Sequence, residues 1–258
     1  TEDLGPPYVQ PHRQNDTETA ILFIHGFGQN SASTWGEFPR FLAEDRRLEE
    51  WDIYCVGYAT SLWIDLAGLW TASPPLNRLS EFLETLADHP PFDNYKSLCI
   101  VAHSMGGLVV QRALIDHSGF LARVGDLVLF GTPSNGLYKG ELLSFWKRQI
   151  HDMADDSPFI KDLRQRWEKE IGDEPPFEFL VVAGDRDEFV PASSSLSPFP
   201  KAVQAVVPGS HVTIVNPNNK MDLSVEVVVK QLVGESAPAG PWNSARVAVE
   251  KRNFQHAI

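Results

Sequence analysis

The sequence predicts an α/β protein built on a doubly wound, mostly parallel β-sheet. The first observation is a series of short apolar runs without polar alternation, which is typical of strands that are covered on both faces. The second is that segments with helical periodicity lie between these runs along most of the chain. The predicted strands cover residues 20–25, 52–58, 97–103, 126–130, 177–183 and 202–207, and the predicted helices cover residues 35–45, 76–88, 107–117 and 221–233.

One domain over residues 19–233 accounts for all of these elements in the 258-residue chain. Residues 1–18 are polar and contain several prolines, so we expect an extended lead-in with little core to bury. Residues 234–258 begin with Gly-Glu-Ser-Ala-Pro-Ala-Gly-Pro, a composition that is typical of a linker. The linker leads to a short helical pattern, and we expect it to be the start of a following segment.

Two stretches interrupt the alternation of strands and helices. Residues 61–75 are rich in tryptophan and leucine, and residues 132–172 are far longer than an ordinary connection. The longer stretch contains amphipathic patterns that predict helices around 139–153 and 158–171. Insertions of this length within one domain are typical of functional lids or caps.

The charge and the cysteines limit the class of protein. A formal net charge of −12 argues against nucleic acid as a partner and against electrostatic binding to an anionic bilayer, although an apolar lid could still contact lipid at the periphery of a membrane. No run of about 18 apolar residues predicts a membrane-spanning helix. Cys55 and Cys99 lie within predicted strands, where buried reduced thiols are typical, and we therefore expect a cytoplasmic protein.

A nucleophile is predicted where the third strand runs into Ala102-His-Ser-Met-Gly-Gly107 and then directly into a helix. A tight turn between a strand and a helix projects the hydroxyl of Ser104 above the sheet, and small neighbours let the two backbones approach each other. Gly106 meets this need, whereas Ala102 stands where the usual G-x-S-x-G pattern has glycine. The alternative interpretation is a serine that only caps the helix.

The backbone N–H groups of Phe27 and Met105 are predicted to hold an oxyanion. Met105 follows the serine at the start of the helix, and Phe27 lies in His25-Gly-Phe-Gly, where glycines let the backbone approach the serine. We expect His25 to brace this loop. The alternative is a glycine-rich phosphate-binding turn, but neither G-x-G-x-x-G nor G-x-x-x-x-G-K-[ST] occurs in the loop.

An acid and a histidine follow the serine in the order that this type of site requires. Asp187 precedes Glu-Phe-Val-Pro after the fifth strand, and we favour it over Asp185, which we expect to cap the turn. His211 lies just after the last strand, where it can reach over the sheet to act as the base. His103 adjoins Ser104, but the turn directs neighbouring side chains apart, so we expect a structural role for it.

The sequence predicts an apolar acyl pocket. It predicts neither a metal nor a cofactor, and a metal is opposed because no His, Cys or carboxylate cluster has the spacing of metal ligands. Apolar insertions beside a serine nucleophile favour an uncharged, medium-chain acyl ester as the substrate. The residues predicted to line or cover the pocket are Trp63, Leu69, Trp70, Leu137, Leu142, Phe145 and Trp146. The alternative is that these side chains only pack the insertions onto the body.

Together these motifs resemble the α/β-hydrolase superfamily, and within it the intracellular serine esterases and lipases of the PGAP1-like and SERAC-like type. The resemblance covers roughly residues 18–233. It rests on His25-Gly-Phe-Gly, Ala102-His-Ser-Met-Gly-Gly, Phe130-Gly-Thr-Pro-Ser-Asn-Gly136, Gly184-Asp-Arg-Asp and Gly209-Ser-His211. The Phe130–Gly136 piece is the most specific to this subfamily, and the departures are Ala102 and the short insertion at 61–75.

The resemblance implies an α/β-hydrolase fold with a helical cap. It also implies hydrolysis of esters or thioesters, or acyl transfer, on lipid-like or acylated substrates. Similar domains occur as effector modules of larger, oligomerising signalling or defence proteins. Three functions therefore stay open: a serine carboxylester hydrolase, an acyltransferase or thioesterase, and a regulated module whose activity requires a larger oligomeric assembly. Ser104 excludes the related dehalogenases and epoxide hydrolases, which place an aspartate at this position.

Overall fold

The structure is a computed structural model that describes residues 8–25, 34–57, 74–137 and 157–234. A seven-stranded sheet runs through these residues, with the strands in the order β1-β3-β2-β4-β5-β6-β7. The strands are β1 (Tyr8–Arg13), β2 (Thr19–Ile24), β3 (Trp51–Gly57), β4 (Ser97–His103), β5 (Val124–Phe130), β6 (Glu178–Gly184) and β7 (Gln204–Val207). Strands β2 to β7 are parallel, which confirms the predicted sheet.

Helices cover both faces of this sheet. They are α1 (Phe38–Ala43), α2 (Pro74–Ala87), α3 (Met105–Asp116), α4 (Ser118–Arg123), α5 (Pro158–Glu170), α6 (Ala192–Leu196) and α7 (Leu223–Leu232). Leu22 of β2 belongs to a core cluster with residues of α2, α3, α4 and α5, whereas its neighbour Phe23 belongs to a second cluster with residues of α1 and α7. Because successive residues of one strand are buried on opposite faces, the sheet is doubly wound, as predicted.

The lead-in contains a strand that the sequence analysis did not predict. β1 pairs antiparallel with β3 at the edge of the sheet, with Val9 opposite Val56. The Nε atom of Arg13 donates to the carbonyl oxygen of Trp51 at 2.8 Å, which fixes the end of the strand. The sequence Tyr-Val-Gln-Pro-His-Arg has Pro11 and no period-two alternation, so it predicts an extended chain but not a strand.

Helix α5 lies within the longer predicted insertion, residues 132–172, but it packs on the body of the domain. Its buried residues Ile160, Leu163 and Trp167 belong to the core cluster that also contains residues of α3. This helix is the one predicted around 158–171. The helix predicted around 139–153, most of the insertion at 61–75 and the segment after residue 234 lie outside the described residues. No helix in the part of the chain that is described has the length and apolarity to cross a membrane.

Candidate active site

Three loops at the carboxyl edge of the sheet carry the predicted nucleophile, acid and base. Ser104 directly follows β4, Asp187 follows the end of β6, and His211 follows the end of β7. The strands are parallel, so their carboxyl ends lie at one edge and bring the three loops together. In open α/β sheets this is the edge at which ligands bind.

Ser104 occupies a strained turn between β4 and α3. Its φ of 55° and ψ of −130° are unusual for a residue with a side chain and cost on the order of 1–3 kcal/mol. The side chain makes no capping hydrogen bond to α3, which argues against a serine that only caps the helix. A Cβ on Gly106 would lie 2.6 Å from the carbonyl oxygen of His25, so glycine is needed where α3 approaches the end of β2.

The side chain of His211 joins those of Ser104 and Asp187. Its Nε2 lies 3.1 Å from Ser104 Oγ, and its Nδ1 lies 2.8 Å from Asp187 Oδ2. The fully buried carboxylate of Asp187 is held through Oδ1, which accepts from the N–H groups of Phe189 at 2.9 Å and Val190 at 2.8 Å. Because a carboxylate oxygen only accepts, Nδ1 donates to it, and Nε2 presents its lone pair to the hydroxyl of Ser104.

Asp185 holds the loop that carries His211. The N–H of Gly209 donates to Asp185 Oδ1 at 2.8 Å, and this bond is the main cause of the lowered pKa of Asp185. The N–H of Ser210 donates to Thr213 Oγ1 at 2.7 Å within the same loop. Asp185 thus caps the turn, as expected, while Asp187 is the carboxylate that contacts the histidine.

The Phe130–Gly136 piece packs against the nucleophile through its first three residues. The carbonyl oxygen of Phe130 accepts from the N–H of Ser104 at 2.9 Å. Thr132 fills the space that the missing side chain of Gly107 leaves on α3, because a Cβ on that glycine would lie 2.1 Å from Thr132 Oγ1. Gly131 lies between them with a φ of +49°, a conformation that favours glycine. The piece therefore shapes the turn on which the serine stands.

The oxyanion donors and the pocket residues are described only in part. Met105 is the first residue of α3, where backbone N–H groups have no acceptor within the helix, so its N–H is available for an oxyanion. Phe27 lies outside the described residues, as do Trp63, Leu69, Trp70, Leu142, Phe145 and Trp146. Leu137 is described and only 6% exposed, which fits the packing alternative at this one position. The acyl pocket therefore stays a prediction.

His103 makes a contact that the sequence analysis did not predict. Its ring is buried, and the centroids of this ring and the ring of His211 are 4.6 Å apart. Its Nε2 lies 3.0 Å from the carbonyl oxygen of His211. Burial, followed by the electrostatic influence of the neighbouring His211, holds the pKa of His103 well below its ordinary value. The position beside Ser104 was the available signal, but adjacency in sequence does not tell where a side chain on a turn is directed.

Comparison with known proteins adds relatives to this geometry. Residues 21–253 match the model of the Alpha/beta hydrolase family. Protein SERAC1 of Danio rerio is 24% identical over 207 residues, which are 65% of this chain and 29% of that protein, so the chain spans less than a third of that relative.

Solved structures that resemble the chain include two enzymes with lipid-related names. Phospholipase PlaB from Legionella pneumophila has a TM-score of 0.61 and 16% identity, over 83% of this chain and 60% of that chain. Bacillus licheniformis lipase BlEst2 has a TM-score of 0.55 and 16% identity, over 89% of this chain and 99% of that chain. At these identities the likeness shows the shared fold.

Proposed function

This chain belongs to the alpha/beta hydrolase family, and we propose that it is a serine hydrolase that cleaves carboxylic esters of lipid-like or acylated substrates. The single observation that carries the proposal is the chain of hydrogen bonds from Ser104 through His211 to Asp187, at 3.1 Å and 2.8 Å. A hydroxyl, an imidazole and a buried carboxylate in this order are the groups that nucleophilic acyl transfer needs.

In the proposed reaction, the oxygen of Ser104 attacks the carbonyl carbon of the ester while Nε2 of His211 takes the hydroxyl proton. Asp187 keeps the imidazolium oriented through Nδ1. The negative charge that forms on the carbonyl oxygen is held by the N–H groups of Met105 and Phe27, and loss of one such donor costs about 100- to 1,000-fold in rate.

His211 then gives its proton to the leaving alkoxide, so an alcohol departs and the acyl group stays on Ser104. A water molecule attacks this acyl-enzyme while His211 takes its proton. The carboxylic acid leaves, the proton returns to the oxygen of Ser104, and the site is restored.

The proposed substrate is an uncharged ester with a medium-length acyl chain. Support comes from the apolar insertions of the sequence and from the likeness in fold to a phospholipase and a lipase. Hydrolysis of p-nitrophenyl acetate, butyrate and octanoate by the same preparation tests the acyl length. We expect a higher kcat/KM for octanoate than for acetate, and a preference for acetate would contradict the proposed substrate.

Covalent labelling with a fluorophosphonate probe tests the proposed reaction. We expect the native chain to be labelled, and Ser104→Ala and His211→Ala to abolish the labelling, because the probe needs an activated serine. Ser197→Ala, at an exposed serine of the same chain, is the matched control and should be labelled like the native chain. A native chain that stays unlabelled would contradict the proposal and favour a module whose activity requires assembly.

A further inference from the structure

His103 connects the strand of the nucleophile with the loop of the base. It is the last residue of β4 and directly precedes Ser104, and the residue is 6% exposed. One side of the ring packs edge-on against Trp35 at 6.1 Å between centroids. The other side faces His211, with 4.6 Å between the ring centroids.

The polar contact of His103 goes to the main chain of His211 and not to its ring. Nε2 of His103 lies 3.0 Å from the carbonyl oxygen of His211. A carbonyl oxygen only accepts, so the proton of His103 is on Nε2 and this nitrogen is the donor. A carbonyl cannot pass a proton on, which means that this contact holds the loop in place and does not relay protons to the proposed base.

Burial keeps His103 a neutral donor. Its pKa is held well below the ordinary value, first by burial and then by the electrostatic influence of the neighbouring His211. A neutral imidazole next to His211 adds no full positive charge when His211 becomes protonated during the proposed reaction. The hydrogen bond is thus present both before and after that proton transfer.

We propose that His103 is a positioning residue, which fixes the main chain of His211 so that the imidazole stays aligned with the hydroxyl of Ser104. This inference rests on the proposed function. Asp187 orients the ring of His211 but does not hold its backbone. The N–H of Gly209 anchors the loop to Asp185, and the N–H of Ser210 makes a bond within the loop. The contact from His103, by contrast, ties the loop to the strand that ends at the nucleophile.

The expected effect is on turnover rather than on substrate binding. Misplacement of a reacting group by about 1 Å can cost on the order of 100-fold in rate. Replacing the ring with one of similar shape but without a donor, in His103→Phe, should lower kcat about 10- to 100-fold with KM within about 2-fold of native. His103→Gln keeps an N–H donor and should retain kcat within about 3-fold of native, since one neutral hydrogen bond is kept.

The kinetic experiment compares the native chain, His103→Phe, His103→Gln and Trp35→Phe on p-nitrophenyl octanoate, with thermal unfolding of each. Trp35→Phe disturbs the other side of the same ring without removing the hydrogen bond, so it controls for loss of packing. We expect it to keep native kcat. The proposal is overturned if His103→Phe keeps native kcat, if His103→Gln is as slow as His103→Phe, or if Trp35→Phe is equally slow.

An activity-independent measurement separates this inference from the proposed function. In the native chain with isotope-labelled histidines, NMR should show a proton on Nε2 of His103 that is protected from exchange with solvent. The His103→Phe variant should lack that signal. A His103 that carries its proton on Nδ1 would overturn the positioning role, whatever the activity. If instead the Nε2 proton is present but the native chain is not labelled by the fluorophosphonate, or is labelled equally in Ser104→Ala, the proposed function fails. The catalytic consequence drawn for His103 then fails with it.

Discussion

The backbone of Gly131 lies against the imidazole of His211. A Cβ on Gly131 would lie 3.2 Å from Nδ1 and 3.3 Å from Cε1 of that ring, and 3.1 Å from Asp187 Oδ2. The φ of Gly131 is +49°, in the left-handed region that costs a residue with a side chain about 1–2 kcal/mol. The glycine therefore meets two needs at once, a left-handed backbone and a close approach to the histidine.

Gly131→Ala should lower activity as well as stability. The added methyl group would displace the ring of His211 from its alignment with Ser104, and we expect kcat/KM to fall about 10-fold or more, as for other small misplacements of reacting groups. Gly172→Ala is the matched control, since Gly172 has a φ of +72° and, among the residues that the structure describes, its Cβ would meet only Glu168 O, at 3.8 Å. Equal kcat/KM in the two variants, measured with one ester, would show that the contact with His211 has no consequence.

Asp187→Asn should inactivate the chain while leaving its fold intact. If the amide oxygen keeps the two backbone N–H groups of Phe189 and Val190, the amide N–H₂ must face His211 Nδ1. The imidazole would then carry its proton on Nε2, the tautomer that cannot take a proton from Ser104. In serine proteases the corresponding change lowers kcat about 10⁴-fold, and we expect a loss of similar size.

The control for this substitution is Asp185→Asn. Its amide oxygen can still accept from the N–H of Gly209, so the loop of His211 keeps its anchor. Rates of ester hydrolysis and circular dichroism spectra of both variants make the comparison. A large loss of activity in Asp185→Asn, with little in Asp187→Asn, would reverse the roles of the two carboxylates.

The buried imidazole of His103 should make the chain less stable in mild acid. Burial lowers its pKa in the folded chain below 6.5, the ordinary value. Well above pH 6.5 the group is neutral in both the folded and the unfolded chain and adds nothing to the pH dependence. Between pH 6.5 and the lower pKa of the folded chain, the unfolded chain binds more proton than the folded chain, so the free energy of unfolding falls by up to about 1.4 kcal/mol per pH unit.

Urea denaturation of the native chain and His103→Gln at several pH values isolates this group, because the other titrating residues are common to both. We expect the difference in unfolding free energy, native minus variant, to be constant in the alkaline range. It should decrease as the pH falls below the pKa of His103 in the unfolded chain. A constant difference over the whole pH range would contradict this prediction, because it would mean that His103 binds a proton as readily in the folded chain as in the unfolded chain.

Most of the sheet could be predicted because parallel strands buried on both faces leave a strong mark in the sequence. The run Ser97–His103 is apolar from Leu98 to Ala102, and its length of seven residues favours a strand over a helix. β1 was missed because an edge strand gains its stability from pairing with β3, which its own sequence does not record. The short helices α4 and α6 were missed for a similar reason: about one turn of helix has no measurable periodicity and depends on its surroundings.

The three residues of the candidate site could be predicted because each follows a strand in a fixed order along the chain. That order says which loops meet but not which neighbouring atoms support them. The contacts of Gly131 and His103 with His211 depend on distances across the sheet edge, and these follow from the packed structure alone. The second oxyanion donor and six of the pocket residues stay predictions, since they lie outside the described ranges.

The strand that leads to His211 also bears on how such a chain loses activity. β7 has four residues and pairs with β6 alone among the described strands, whereas β4, which ends at Ser104, has a paired strand on either side. Edge segments open at a lower free energy than central ones. During gradual warming the histidine would leave its place while the central strands and most helices were still intact. Hydrolysis would therefore cease at a lower temperature than the midpoint of global unfolding seen by spectroscopy. The midpoint of inactivation would then measure the opening of the β7 edge of the sheet.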